Sequence, residues 1–133
     1  MRIFTYALLG MLAVQTFIAT PALAEQKVKT VYKEVSSFSS KPISASAIEN
    51  AFKTCSAERG WKFTRAAPGK LIGKLNVRGK HSIEVLVEYS SEAYKISYQN
   101  SRNMRYYAAE NTIHKRYNSW VKNLSNDVIF CLQ

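Results

Sequence analysis

The chain has 133 residues, 47% hydrophobic and 21% charged, with 19 Lys and Arg against 9 Asp and Glu and a formal net charge of +10. That length suits one domain around a single core, with little margin. The charge suits negatively charged partners, or serves solubility alone.

Met1-Arg2 is a short positive start, Tyr6 to Ile18 is apolar except for Gly10, Gln15 and Thr16, and Ala22-Leu23-Ala24 ends in an A-x-A pattern. A charge, an apolar run too short to span a bilayer and small closing residues predict a signal peptide over residues 1–24. No cysteine near Ala24 offers a site for lipid. Cleavage would remove one cation, Arg2, and no acid, leaving a net charge of +9 on residues 25–133. The expected location is the periplasm, or outside the cell if the protein is not retained, with no membrane span after cleavage.

Residues 25–43 show no sustained period and carry Lys27, Lys29 and Lys33. They predict a basic arm, flexible or extended, in which Val28 to Val35 can add an edge strand. A single α+β domain is expected over residues 44–133. Ser44 or Ser46 can cap a first helix that buries Ile48, Ala51, Phe52 and Cys55, and Gly60 supplies a left-handed stop.

Four strands are predicted next. Trp61 to Arg65 alternates, and Ala67-Pro68-Gly69-Lys70 has Pro and Gly at the centres of a type II turn. Leu71, Leu75 and Val77 share one face, as do His81, Ile83, Val85, Val87 and Tyr89, and then Tyr94, Ile96 and Tyr98. Because buried faces must meet, Val77 should pair with His81, Leu75 with Ile83, and Tyr89 with Tyr94. The outer face then sets Lys74 against Glu84, Lys70 against Glu88, and Glu88 against Lys95. A last helix is expected along Ile113, Tyr117, Trp120, Val121, Leu124 and Val128, capped by Asn111 or Thr112.

The expected fold is a two-layer α-β-β-β-β-α arrangement, an antiparallel four-stranded meander with both helices on one face. It brings Cys55 and Cys131, the two cysteines, close together, and an exported protein most often joins such a pair. Trp61, Phe63, Tyr89, Tyr94, Tyr98, Tyr117 and Trp120 all fall on buried faces and read as core.

The topology gathers one basic rim where strand two turns into strand three and strand four meets the last helix. Arg78, Lys80, Arg102, Arg105, Lys115 and Arg116 collect there, with Glu110 against them and Tyr106 and Tyr107 nearby. His81, Ser101, Asn103, His114 and Asn118 add polar groups, making a candidate anion-binding site at a helix start. Its expected partner is an anionic envelope polymer or an acidic protein. There is no nucleophile elbow, Gly-rich phosphate loop, H-E-x-x-H or paired-carboxylate cleft, so a non-enzymatic domain without metal, cofactor or specific nucleic acid is expected. The alternative is a small phosphodiester hydrolase using His81 and His114 as acid and base.

Gly60-Trp61, Pro68-Gly69, Arg78 with His81, Val85-x-Val87-x-Tyr89, Tyr94-x-Ile96-x-Tyr98, Ser101-x-Asn103 and Ile113-His114-x-x-Tyr117-Asn118-x-Trp120-Val121 together form a pattern. It resembles a group of small proteobacterial exported proteins and lipoproteins over about Ile48 to Leu124. The resemblance implies a compartment and a fold, and picks out Arg78, His81, Ser101, Asn103, His114 and Asn118 as a candidate shared feature without a role. The missing lipobox cysteine implies a soluble periplasmic member.

Overall fold

The computed structural model describes residues 25–133, so the expected leader over 1–24 lies outside the described residues. The elements run β1 (Glu25–Lys27), β2 (Val31–Glu34), α1 (Ala45–Cys55), β3 (Lys62–Ala67), β4 (Lys70–Val77), β5 (His81–Tyr89), β6 (Ala93–Arg102), β7 (Thr112–His114) and α2 (Arg116–Leu132). The fold is α+β. β3 to β6 form the antiparallel meander, β2 joins it as a fifth strand beside β6, and β1 pairs β7 in a separate ribbon.

Period-two burial dictates the register, and each pairing expected from it is observed: Val77 with His81, Leu75 with Ile83, Lys74 with Glu84, Lys70 with Glu88, Glu88 with Lys95, and Tyr89 with Tyr94. A slip of one residue would turn Leu71, Leu75, Ile83, Val85 and Val87 out to water. At about 1.5–3 kcal/mol for each buried aliphatic side chain, no outer-face pairing could offset that loss. On the outer face Lys74 meets Glu84 at 3.3 Å and Lys95 meets Glu88 at 3.4 Å. The lysines of these pairs are well exposed, so solvent screens them. Replacing Lys74 by Ala should therefore lower stability by under about 1 kcal/mol in urea titration. A loss of several kcal/mol would mean that this face is buried against something.

Turn chemistry fixes the strand ends. Gly69 holds φ +75°, as the third residue of a type II turn requires, and its carbonyl accepts the Tyr89 amide at 2.9 Å. Ser44 caps α1 by accepting the Ala47 amide at 3.1 Å, while a short 3-10 turn carries the chain from α1 to Gly60 at φ +98°. Gly73 has a different role: a Cβ there would lie 2.2 Å from the Phe63 ring, which crosses the strand at that point.

Ile48 and Phe52 of α1, Tyr117, Val121, Leu124 and Val128 of α2, and the inner sheet residues share one core. Phe52 meets Tyr94 edge-on at 5.2 Å, and the Tyr94 hydroxyl bonds Ser125 of α2, so each of these two buried hydroxyls satisfies the other. Cys55, the last residue of α1, is joined to Cys131 in the last turn of α2, with Cα atoms 6.5 Å apart.

Two expectations are corrected. The last helix does not begin at an Asn111 or Thr112 cap: Ile113 is buried in β7, and α2 starts at Arg116 after Lys115, without a side-chain cap. The cause is tertiary, because the backbone of Thr112 to His114 pairs with Lys27 to Glu25 of β1 and so cannot also turn into helix. The aromatic assignment was also too uniform: Trp61, Tyr94 and Tyr117 are buried, whereas Phe63, Tyr89, Tyr98 and Trp120 are only partly so. Residues 25–43 contain β1, β2 and a 3-10 turn over Val35–Ser37, and the edge strand expected over Val28 to Val35 covers Val31–Glu34.

Candidate functional site

The rim is built by the β4–β5 turn, the end of β6 and the Asn103 to Lys115 segment. Near the end of β6 a bulge places Gln99 between the pairs Val85–Tyr98 and Glu84–Asn100. An extra residue inverts the alternation, so Ser101 rather than Asn100 shares the inner side with Tyr98 and pairs Ile83. The Tyr98 hydroxyl and Ser101 Oγ lie 2.7 Å apart. Arg102, opposite Ser82, then lies on the outer side of the sheet. The structure thus sets Arg102 apart from the histidines, although both reach the same edge.

His81 and His114 come together with ring centres 6.3 Å apart. His81 Nδ1 lies 2.8 Å from the Asn103 backbone carbonyl oxygen, which can only accept, so in the neutral ring that nitrogen carries the proton and Nε2 is the acceptor. His114 Nδ1 accepts the Arg116 amide at 3.1 Å, so its proton sits on Nε2. With both rings neutral, the pair presents one lone pair and one N–H. Burial pushes the His114 pKa below the ordinary imidazole value, and His81, Arg105, Arg116 and Lys115 add to the effect.

Asn103 is fixed at both ends. Its backbone carbonyl meets His81, its side-chain Nδ2 donates to the Lys80 carbonyl at 2.9 Å, and its backbone holds φ +62°. Arg78 at φ +55° and Arg105 at φ +52° are also left-handed, a conformation costing roughly 1 kcal/mol or more for a side chain with Cβ. Arg78, Lys80, Arg102, Arg105, Lys115 and Arg116 are all exposed, and none has a carboxylate in ion-pair range among the described residues.

Asn118 belongs elsewhere. Its Nδ2 donates to the Lys27 carbonyl at 2.8 Å and to Gln26 Oε1 at 3.2 Å, and its Oδ1 accepts the Lys29 amide at 3.1 Å. With its amide engaged on both sides, it ties the N-terminal arm to α2 and leaves the rim without it.

Sequence reasoning placed Tyr106 and Tyr107 at this edge but assigned Tyr98 to the core and so missed its part in it. Tyr98 stacks on Tyr106 at 4.1 Å and borders an open pocket of about 600 Å³ with Ser101, Asn103 and Arg105. Tyr117 packs edge-on against Tyr98 at 5.7 Å, and its fully buried hydroxyl has no partner among the described residues. Burial drives its pKa far above the ordinary phenol value. The signal was absent because the alternation of β6 marks Tyr98 as inward but cannot reveal that the bulge opens the layer beside it.

No protein-family model matches the chain, and no curated protein or solved structure matches it significantly.

Proposed function

We propose that this chain is an exported, non-enzymatic binding or accessory domain that engages an anionic envelope component through its basic rim. The observation that carries the reading is the set of six exposed cations at one edge, unpaired among the described residues, while Lys74 and Lys95 on the sheet's outer face are matched to carboxylates. Left-handed backbone at Arg78 and Arg105 adds weight, since strain at non-glycine residues concentrates where side chains are held for a task. The two arginines flanking the histidine pair, with the His114 N–H, suit the oxygens of a phosphate or carboxylate polymer.

The test is titration with inorganic polyphosphate. Arg105→Glu with Arg116→Glu should weaken binding by roughly tenfold or more at low salt. Lys41→Glu with Lys70→Glu makes the same change in net charge away from the rim and should cost far less. Equal losses in the two variants would mean that net charge alone attracts the polymer.

A second reading has a specific observation behind it. The His81 and His114 rings lie 6.3 Å apart, close enough to share one phosphodiester, with His81 Nε2 as base and the His114 imidazolium, formed at acidic pH, as the proton donor. Turnover of bis(4-nitrophenyl) phosphate, lost in both His81→Gln and His114→Gln, would replace the binding reading with a hydrolase.

A further inference from the structure

β2 is the last strand of the five-stranded sheet, so among the described residues no strand pairs with its other edge. The Val35 amide donates to the Glu92 carbonyl at 2.7 Å, and Lys33 and Val31 stand opposite Tyr94 and Ile96 in the same register. Antiparallel alternation then turns the backbone groups of Val31, Lys33 and Val35 toward β6 and those of Tyr32 and Glu34 toward the open edge. The Glu34 carbonyl takes the Ser37 hydroxyl at 2.6 Å, which leaves the Tyr32 N–H and C=O and the Glu34 N–H facing out.

A groove of about 460 Å³ runs between this strand and α2. Val31 and Val121 contribute apolar surface, and Lys29, Lys33 and Lys122 stand around it. Among the described residues no carboxylate lines it, and none of the three lysines has an ion-pair partner. The opposite edge of the sheet is treated differently. β3 carries Lys62 and Arg65, breaks its register between Arg65 and Ala67, and runs into Pro68, all features that discourage a further strand.

We propose that the β2–α2 groove takes an extended acidic peptide segment of a partner protein, added as a sixth strand on the open edge of β2. Backbone hydrogen bonds to Tyr32 and Glu34 would hold it in register, and acidic side chains on alternate positions would meet Lys33 and Lys122. The site is distinct from the basic rim, so it can stand or fall independently of the reading above.

The probe is an acetylated, amidated (Glu-Thr)4 peptide, followed by amide NMR shifts on the purified chain. The expected result is saturable shifts at Tyr32, Glu34 and the Asn118 to Asn126 stretch of α2, with none for (Lys-Thr)4. Tyr32→Pro removes an outward N–H and leaves the bonds to β6 in place, so it should weaken the peptide at least tenfold while polyphosphate binding at the rim is unchanged. If that variant misfolds, Lys33→Glu with Lys122→Glu serves in its place with the same expected loss. Shifts confined to Arg78, Arg105 and Arg116 would overturn the proposal and leave the rim reading intact. Broadening at Tyr32 that grows with protein concentration alone would overturn it too, making the occupant a second copy of the chain.

Discussion

Replacing Cys55 by Ser should lower the stability of the protein by about 4 kcal/mol. The bond joins residues 76 apart, and closing a loop of that size in the unfolded chain is what the cross-link prevents from costing entropy on folding. Against a total of about 5–15 kcal/mol for a domain of this class, the loss moves the folded state close to its limit. The bond joins the end of α1 to the last turn of α2, beyond Val128, the last fully buried residue of that helix, where the Arg59–Asp127 ion pair is the neighbouring tie. Cys131→Ser should cost the same, and the double variant no more than either single one, because the bond is one unit. Urea unfolding of the three variants measures this. Intact mass with and without alkylation checks the premise, and two alkylated thiols in the natively purified protein would remove it. A single-variant loss under about 1 kcal/mol would mean that the unfolded chain is already held compact without the bond.

Affinity of the rim for polyphosphate should fall on the order of 10²-fold between about 50 and about 200 mM salt. Each cation that neutralises a phosphate releases counterions, so the slope of log affinity against log salt counts the contacts; about five of them give this fall. Arg105→Glu with Arg116→Glu should flatten the slope as well as lower the affinity. Acidification should act in the opposite direction to salt. The native environment holds the His114 pKa below the ordinary imidazole value, so this ring is neutral at pH 7. A bound anion favours its charged form and raises that pKa, and linkage then makes affinity climb as pH falls through the range below the usual value. His114→Gln should abolish that part of the pH response. A flat salt profile, measured by fluorescence anisotropy, would mean that the six cations do not act together on a polymer.

The sheet was legible in the sequence because alternation leaves little freedom. With Leu75, Ile83 and Val87 required inside, the pairs Lys74–Glu84 and Glu88–Lys95 follow without further information. Proximity of Cys55 and Cys131 followed from two helix stripes packed over one face. Only the tertiary structure decided the rest. Ile113 sits in the same apolar stripe whether its backbone is helical or extended, and pairing with β1, more than eighty residues earlier, settles the matter. Asn118 reads as one more polar group at a helix start until the arm from Gln26 to Lys29 is seen bound to it. The bulge at Gln99 decides that Ser101 joins the inner side and that Arg102 leaves it, and no residue type there announces a bulge. Composition by itself determined that the protein is basic. How the cations are distributed, some matched to carboxylates on the sheet and others, at the rim and beside β2, without an ion-pair partner among the described residues, is set by contacts between distant segments, because period within a strand or helix specifies a face and not what stands across from it.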